Sequence, residues 1–305
     1  MKVAVIGVGH LGQHHARIYA AMEGVELIGV VDTNGPRGEE IARKFGTTAF
    51  ADARELIGRI DAVSVAVPTA AHVDVAVPFL DAGTAVLVEK PLAASLADAD
   101  RLIAAAEAGG ALLAAGHTER FNPAIDAARP LIHAPRFIEV HRLGTFPDRS
   151  LDIDVIFDLM IHDLDLLLAM VGSEVVSVEA VGVNVLTPRT DIANARLRFA
   201  SGCIANLTAS RISRDRVRKI RFFQQNTYVS VDYAAREVEA YTLVPGDGRP
   251  AIRGGKLPVV DDEPLRRELA DFVEAARSGG RPGVTGREGR DALALATLVA
   301  EKMRE

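Results

Sequence analysis

"KVAVIGVGHLG" spans residues 2–12 and changes period halfway along. Its first half is an unbroken apolar run, the pattern of a strand buried on both faces of a parallel sheet. Its second half places Gly7, Gly9 and Gly12 in a G-x-G-x-x-G spacing, with His10 and Leu11 between them. Residues 11–21 then continue at the period of a helix. Strand, glycine turn and helix in that order form the first half of a βαβ unit.

The same alternation recurs downstream. Apolar runs at 26–32, 61–68, 85–91 and 111–116 are separated by helix patterns at 37–45, 70–82 and 95–108. This spacing predicts an α/β fold with a doubly wound parallel sheet over residues 1–118. From residue 119 the rhythm changes: 136–144 reads as a strand and 156–172 as a helix. Long alternating segments at 174–186, 191–200, 203–213, 216–224 and 227–232 then read as antiparallel strands with one covered face. Residues 245–258 read as an exposed connection, and 263–277 and 287–304 as two closing helices. A chain of 305 residues exceeds the usual growth of one core. Two domains are therefore expected, 1–118 for a dinucleotide and 119–305 as an α+β domain with a large open, mostly antiparallel sheet.

Composition narrows the function classes. A net charge of −6 gives no electrostatic footprint for nucleic acid, and the arginine-rich patch at 211–221 is interleaved with β-type residues. No apolar run approaches the roughly 18 to 20 residues that span a bilayer, and no signal-peptide pattern follows Met1. One cysteine, Cys203, cannot form an internal disulfide. The expectation is a cytoplasmic protein with neither nucleic-acid nor membrane partners.

The glycine spacing carries chemistry because glycines permit a tight turn and close backbone approach to a pyrophosphate, which the helix N-terminus stabilises. Asp32, twenty residues past Gly12 at the end of the second run, suits the ribose hydroxyls and repels a 2′-phosphate. NAD is therefore expected over NADP, although Thr33, Asn34 and Arg37 follow closely. His10, His14 and His15 lack the convergent ligands and acidic partner of a zinc site and read as surface or packing residues. No metal is expected.

Ligands of open α/β sheets bind beyond the carboxyl ends of the strands. Glu89, Lys90 and Pro91 close the apolar run at 85–91, and Pro68, Thr69 and His72 end or follow the run at 61–68. Lys90 should then point toward the nicotinamide end of the cofactor. In the helix pattern at 156–172, Asp158, His162, Asp163 and Asp165 interrupt the apolar periodicity. Residues 158 and 162 are one helical turn apart and share a face. Two plain readings compete there, a solvated acidic face with a core histidine, and a metal site from Asp158, His162 and Asp165.

Taken together, G-x-G-x-x-G, the aspartate after strand two, E-K-P and D-x-x-x-H resemble the Gfo/Idh/MocA family of sugar and cyclitol oxidoreductases over essentially the whole chain. The resemblance implies a Rossmann domain, a C-terminal α+β domain, a nicotinamide cofactor and a site between them. It implies Lys90, Asp158 and His162 as catalytic residues. His162 would be the base, Asp158 or Asp165 would orient it, and Lys90 would stabilise the developing alkoxide. Cofactor contacts are expected from Gly7, Gly9, His10, Leu11, Gly12, Asp32, Pro68, Thr69, His72, Glu89 and Lys90.

A glycine run common before the D-x-x-x-H helix is absent here. With "GHTERFNPAI" at 116–125, this resembles a bacterial branch that includes UDP-N-acetylglucosamine 3-dehydrogenases. The implied substrate is a sugar or nucleotide-sugar, with substrate contacts from Lys90, Arg120, Asn122, Arg149, Asp158 and His162. Arg142 and Arg211 are further candidates for a diphosphate. The rival functions are a non-catalytic dinucleotide-binding regulator and an NAD-assisted glycoside hydrolase. A homodimer or homotetramer is expected through the open sheet face.

Overall fold

The computed structural model describes residues 1–146, 153–245 and 249–304. They form two compact units, the first from Met1–Thr118 with Glu263–Leu293, the second from Glu119–Asp262 with Ala294–Glu305. This corrects the single boundary after residue 118, because the chain returns to the first unit. The reason lies in α7 (Pro264–Ser278), which packs on α1 (Gly12–Ala21). Leu269, Phe272 and Val273 of α7 are buried in one cluster with Val3, Tyr19, Val30 and Leu87.

The first unit holds a six-stranded parallel sheet of order β3-β2-β1-β4-β5-β6. Its strands are β1 (Lys2–Ile6), β2 (Glu26–Val31), β3 (Thr48–Phe50), β4 (Ala62–Val65), β5 (Ala85–Glu89) and β6 (Leu113–Gly116). Every residue of β4 and β5 is buried, as the unbroken apolar runs require. Helices α2 (Gly35–Phe45), α3 (His72–Asp81) and α4 (Leu96–Gly109) complete the crossovers. Strand order reverses between β1 and β4, which creates the switch point where such sheets bind ligands. Strand β3 has only three residues, too few to show a period in the sequence.

The second unit is built on an eight-stranded sheet of order β14-β13-β12-β11-β7-β10-β9-β8. Its strands are β7 (Phe137–Leu143), β8 (Val175–Val183), β9 (Ile192–Phe199), β10 (Ile204–Ser210), β11 (Val217–Gln224), β12 (Thr227–Asp232), β13 (Glu237–Val244) and β14 (Ala251–Leu257). Among the described residues of this sheet only β7 and β10 pair in parallel. Burial alternates strictly along β9, so one face is packed and the other open. Helix α5 (Pro123–Ala128) packs beside β12 and β13.

Strand β14 corrects the reading of 245–258 as an exposed connection, and β13 falls in a stretch where the sequence pattern assigns no element. β14 is an exposed edge strand whose apolar residues do not alternate. Its Gly254 has φ +141°, and a Cβ there would lie 1.9 Å from the Ala240 carbonyl oxygen. Close approach of this glycine to β13 replaces the side-chain pattern that normally announces a strand.

The helix read over 156–172 is composite. Residues Ile156–Met160 form a π turn, and α6 (Ile161–Val171) follows before Gly172 closes it at φ +59°. The Ile161 N–H reaches back to the Ile156 carbonyl, the five-residue span of a π turn. Helix α8 (Gly286–Lys302) ends the fold. No helix among the described residues is long and apolar enough to cross a membrane.

Candidate active site

The three motif glycines do three different things. Gly7 turns the chain at φ +83°, and a Cβ there would fall 2.6 Å from the Ala66 carbonyl oxygen beyond β4. At Gly12 a Cβ would fall 1.7 Å from the Gly7 carbonyl oxygen, so the helix start packs directly on the turn. At Gly9 a Cβ would meet nothing within 4 Å. The open side of the turn is therefore at Gly9, where a pyrophosphate can approach bare backbone at the start of α1. His10 and Leu11 are exposed on the same turn.

Asp32 fastens this turn to the end of β2. Its Oδ2 accepts the Val8 N–H at 2.8 Å and its Oδ1 the Asn34 N–H at 2.8 Å. A carboxylate has about four acceptor positions, so sites remain for two ribose hydroxyls. Arg37, which the sequence left open as a phosphate ligand, is already engaged. Its Nε donates to the Val8 carbonyl at 3.1 Å, Nη2 to Gln13 at 3.0 Å and Nη1 to Glu40 at 2.8 Å. The Asn34 side chain caps α2 through the Arg37 N–H. These residues fit NAD.

Glu89 is buried at the end of β5 and has an unexpected partner. His15 Nε2 lies 3.0 Å from Glu89 Oε1, and the imidazole is wholly buried. The histidine read as lacking an acidic partner thus has one 74 residues away. Glu89 Oε2 also accepts the Lys90 N–H at 3.3 Å. Burial opposes charge on this carboxyl, but the His15 hydrogen bond and the charges of His15 and Lys90 outweigh it and hold Glu89 below the usual range. Glu89 is therefore ionised and His15 Nε2 is the donor. Lys90 itself is half-buried and is followed by a cis peptide to Pro91.

His72, expected as a cofactor contact, has a structural task of its own. It is buried, with Nδ1 3.2 Å from the Leu92 carbonyl and Nε2 3.0 Å from the Val67 carbonyl. It pins the segment after β4 to the segment after β5. Pro68 is exposed and Thr69 half-buried in the short turn that leads to it.

In the second unit, Asp158 sits in the π turn and His162 in the first turn of α6, both half-buried. The wider π turn alters the simple one-turn offset assumed from an α-helical period. Asp163 and Asp165, on either side of this histidine's helix, are buried. Each is held by an arginine fork. Arg142 donates to both oxygens of Asp163, at 2.7 and 2.9 Å, and to Glu119 at 3.0 Å. Arg120 donates to both oxygens of Asp165, at 2.7 and 3.2 Å. Burial pushes the Asp163 carboxyl up while Arg142 opposes the rise; at Glu119 burial is outweighed by Arg142 and the carboxyl is lowered.

A third fork anchors the start of the segment. Arg211 Nε donates to Asp191 at 2.9 Å and Nη1 to the Ile153 carbonyl at 2.7 Å. Asn122 caps α5 through the Ala124 N–H at 3.1 Å and donates to Glu119 at 3.2 Å. Four residues read as candidates for a diphosphate, Arg120, Asn122, Arg142 and Arg211, are thus committed to the scaffold around the Asp158 and His162 segment. Arg149 lies outside the described residues.

Sequence reasoning missed His15 and the three forks, because their partners are 20 to 74 residues apart. The one local signal was "HDLD" at 162–165, two acidic residues on an otherwise apolar helix.

Comparison with known proteins agrees with this arrangement. Residues 1–117 match the model of the Gfo/Idh/MocA oxidoreductase family, NAD-binding Rossmann fold, and 96–229 match the Gfo/Idh/MocA C-terminal domain. The chain is 41% identical to UDP-N-acetylglucosamine 3-dehydrogenase of Acidithiobacillus ferrooxidans over 98% of its own length and 96% of the relative's. A solved structure of that enzyme superposes with a TM-score of 0.93 at 40% identity, covering 99% of this chain and 97% of the other. Myo-inositol 2-dehydrogenase of Thermotoga maritima is 27% identical over 100% of this chain and 97% of its own. The chain belongs to the Gfo/Idh/MocA family of oxidoreductases, with an NAD-binding Rossmann fold at its N-terminus.

Proposed function

We propose that the protein is an NAD-dependent dehydrogenase acting on a secondary hydroxyl of a nucleotide-activated amino sugar, as a UDP-N-acetylglucosamine 3-dehydrogenase. The observation that carries this reading is the set of ionisable groups held by buried partners. Lys90 follows a glutamate anchored by His15, and His162 lies in a helix clamped by two arginine forks. The near full-length likeness to the Acidithiobacillus enzyme supplies the substrate.

When bound, NAD supplies the hydride acceptor. His162 takes the hydroxyl proton on an imidazole nitrogen, since imidazole titrates near neutrality. Asp158 orients that ring and stabilises its protonated form. The Lys90 ammonium stabilises the negative charge that develops on the substrate oxygen. Asp32 and the Gly9 backbone hold the cofactor in register.

The test is NADH formation with UDP-N-acetylglucosamine. His162→Ala and Lys90→Ala should each lower kcat by roughly 10²-fold or more, while NAD binding measured by thermal shift is retained. Full turnover in both variants would overturn the assignment of roles. A regulator would bind NAD without turnover, and a glycoside hydrolase would release a leaving group without net NADH.

The reading extends to self-association through the open sheet face. Phe137, Phe223, Tyr228 and Tyr241 form an aromatic row across β7, β11, β12 and β13, with ring centroids 5.6, 5.2 and 6.4 Å apart. Val181 and Val183 of β8, Leu243 of β13 and Ile252 of β14 are exposed as well.

A further inference from the structure

Of the five arginines in the stretch 211–221, Arg211 is buried, Arg221 is half-buried and paired with Glu139, and Arg214, Arg216 and Arg218 are exposed. Among the described residues none of the three exposed arginines is in an ion pair. Arg218 stands directly opposite Arg142 in the antiparallel pairing of β11 with β7. Like charges facing one another across a sheet are destabilising unless something compensates them. Arg142 is compensated by Asp163 and Glu119. Arg216 lies two residues before Arg218, just ahead of β11, and its charge acts on Arg218. The charges that act on Arg218 are those of two arginines, Arg142 and Arg216, and two carboxylates, Glu119 and Asp163, and both carboxylates are already engaged by Arg142.

The place is as informative as the charge. Val217 pairs with Leu143, the last residue of β7, and the Ser213 N–H donates to the Gly144 carbonyl at 2.9 Å. The patch therefore lies where the chain leaves β7 toward the segment bearing Asp158 and His162. Asp163, the direct neighbour of His162, is joined to Arg142, and Arg142 stacks over Tyr233 at 5.4 Å. The Tyr233 N–H in turn donates to the Arg218 carbonyl at 2.8 Å.

We propose that Arg216 and Arg218 bind the diphosphate of the nucleotide-activated substrate. This rests on the nucleotide-sugar reading above and takes the place of Arg120, Arg142 and Arg211, whose forks are already filled. Planar guanidinium forks match phosphate oxygens bidentately, and a diphosphate supplies the missing negative charge. Partial desolvation at the sheet end and repulsion from Arg142 both act to lower the Arg218 guanidinium, the environment an anion relieves.

The experiment measures UDP binding by calorimetry to the NAD-saturated protein, for wild type, Arg216→Ala, Arg218→Ala and Arg218→Lys. Steady-state rates are measured with UDP-N-acetylglucosamine and with free N-acetylglucosamine. Arg218→Ala should weaken UDP about ten- to a hundredfold and raise KM for the nucleotide-sugar by a similar factor. The kcat and the KM for the free sugar should stay near wild type, and Arg218→Lys should recover part of the affinity. Arg216 precedes β11, so its alanine variant keeps the test independent of strand folding.

UDP affinities within about twofold of wild type in both alanine variants would overturn the assignment while leaving the proposed function standing. A wild type that oxidises free sugar but neither binds UDP nor prefers the nucleotide-sugar would overturn the substrate reading, and this proposal with it.

Discussion

His72 shows how the site is held together by buried groups. Its imidazole is buried between two carbonyls, and burial lowers its proton affinity, partly offset by those carbonyls. Its folded pKa lies below the unfolded value of about 6.5, so the unfolded chain binds the extra proton first. Stability should therefore fall as pH drops below about 6.5, by at most about 1.4 kcal/mol per pH unit. Thermal melts of wild type and His72→Gln between roughly pH 7.5 and 5.5 check this: the variant should melt with a shallower dependence. Parallel curves would show that the folded and unfolded chains hold the His72 proton equally well. Glu89 has the opposite sign and a separate window. Its lowered carboxyl contributes stability above the usual carboxylate range and loses it as acid protonates the folded form. Gly7, Gly9, Gly12 and Asp32 were legible in the sequence because their work is local, a turn and the strand that follows. His15 and His72 were not, because what they hold is set by the packing of α1 and α3 on distant strand ends.

The segment from Ile156 to Val171 is the most expensively built element of the second unit. Its apolar periodicity was visible, but the π turn was not, since nothing in "IFDLM" distinguishes a wider turn from an ordinary one. Nor could the sequence say why acidic residues interrupt it. Two of the three, Asp163 and Asp165, serve the arginines that fix the helix; Asp158, with His162, is the pair proposed for the chemistry. Removing one partner of a buried fork strands the other's charge. Arg142→Met leaves Asp163 and Glu119 uncompensated and should cost about 3–5 kcal/mol, read as a lower urea midpoint. A midpoint unchanged from wild type would mean that both carboxyls are neutral in the folded state. Replacing an exposed, unpaired arginine such as Arg214 should move the midpoint by less than about 0.5 kcal/mol.

The two sheets were read correctly in class from period alone, unbroken runs for the parallel sheet and alternation for the mostly antiparallel one. Their edges were not, since β3 is too short and β14 too exposed to carry a period. The open face of the larger sheet gives the proposed self-association a direct check. Light scattering should return a multiple of the 32.5 kDa chain mass, and Phe223→Glu with Tyr241→Glu should shift it to the monomer; a monomeric wild type removes the proposal. The discontinuity of the first unit has a consequence for biosynthesis. Leu269, Phe272 and Val273 emerge from the ribosome only after the whole of Glu119–Asp262 has been made. At ordinary translation rates that delay is on the order of ten seconds or more. Throughout it the nascent cofactor domain displays an unfilled apolar surface around Tyr19 and Val3, so the half of the enzyme that is translated first is completed among the last.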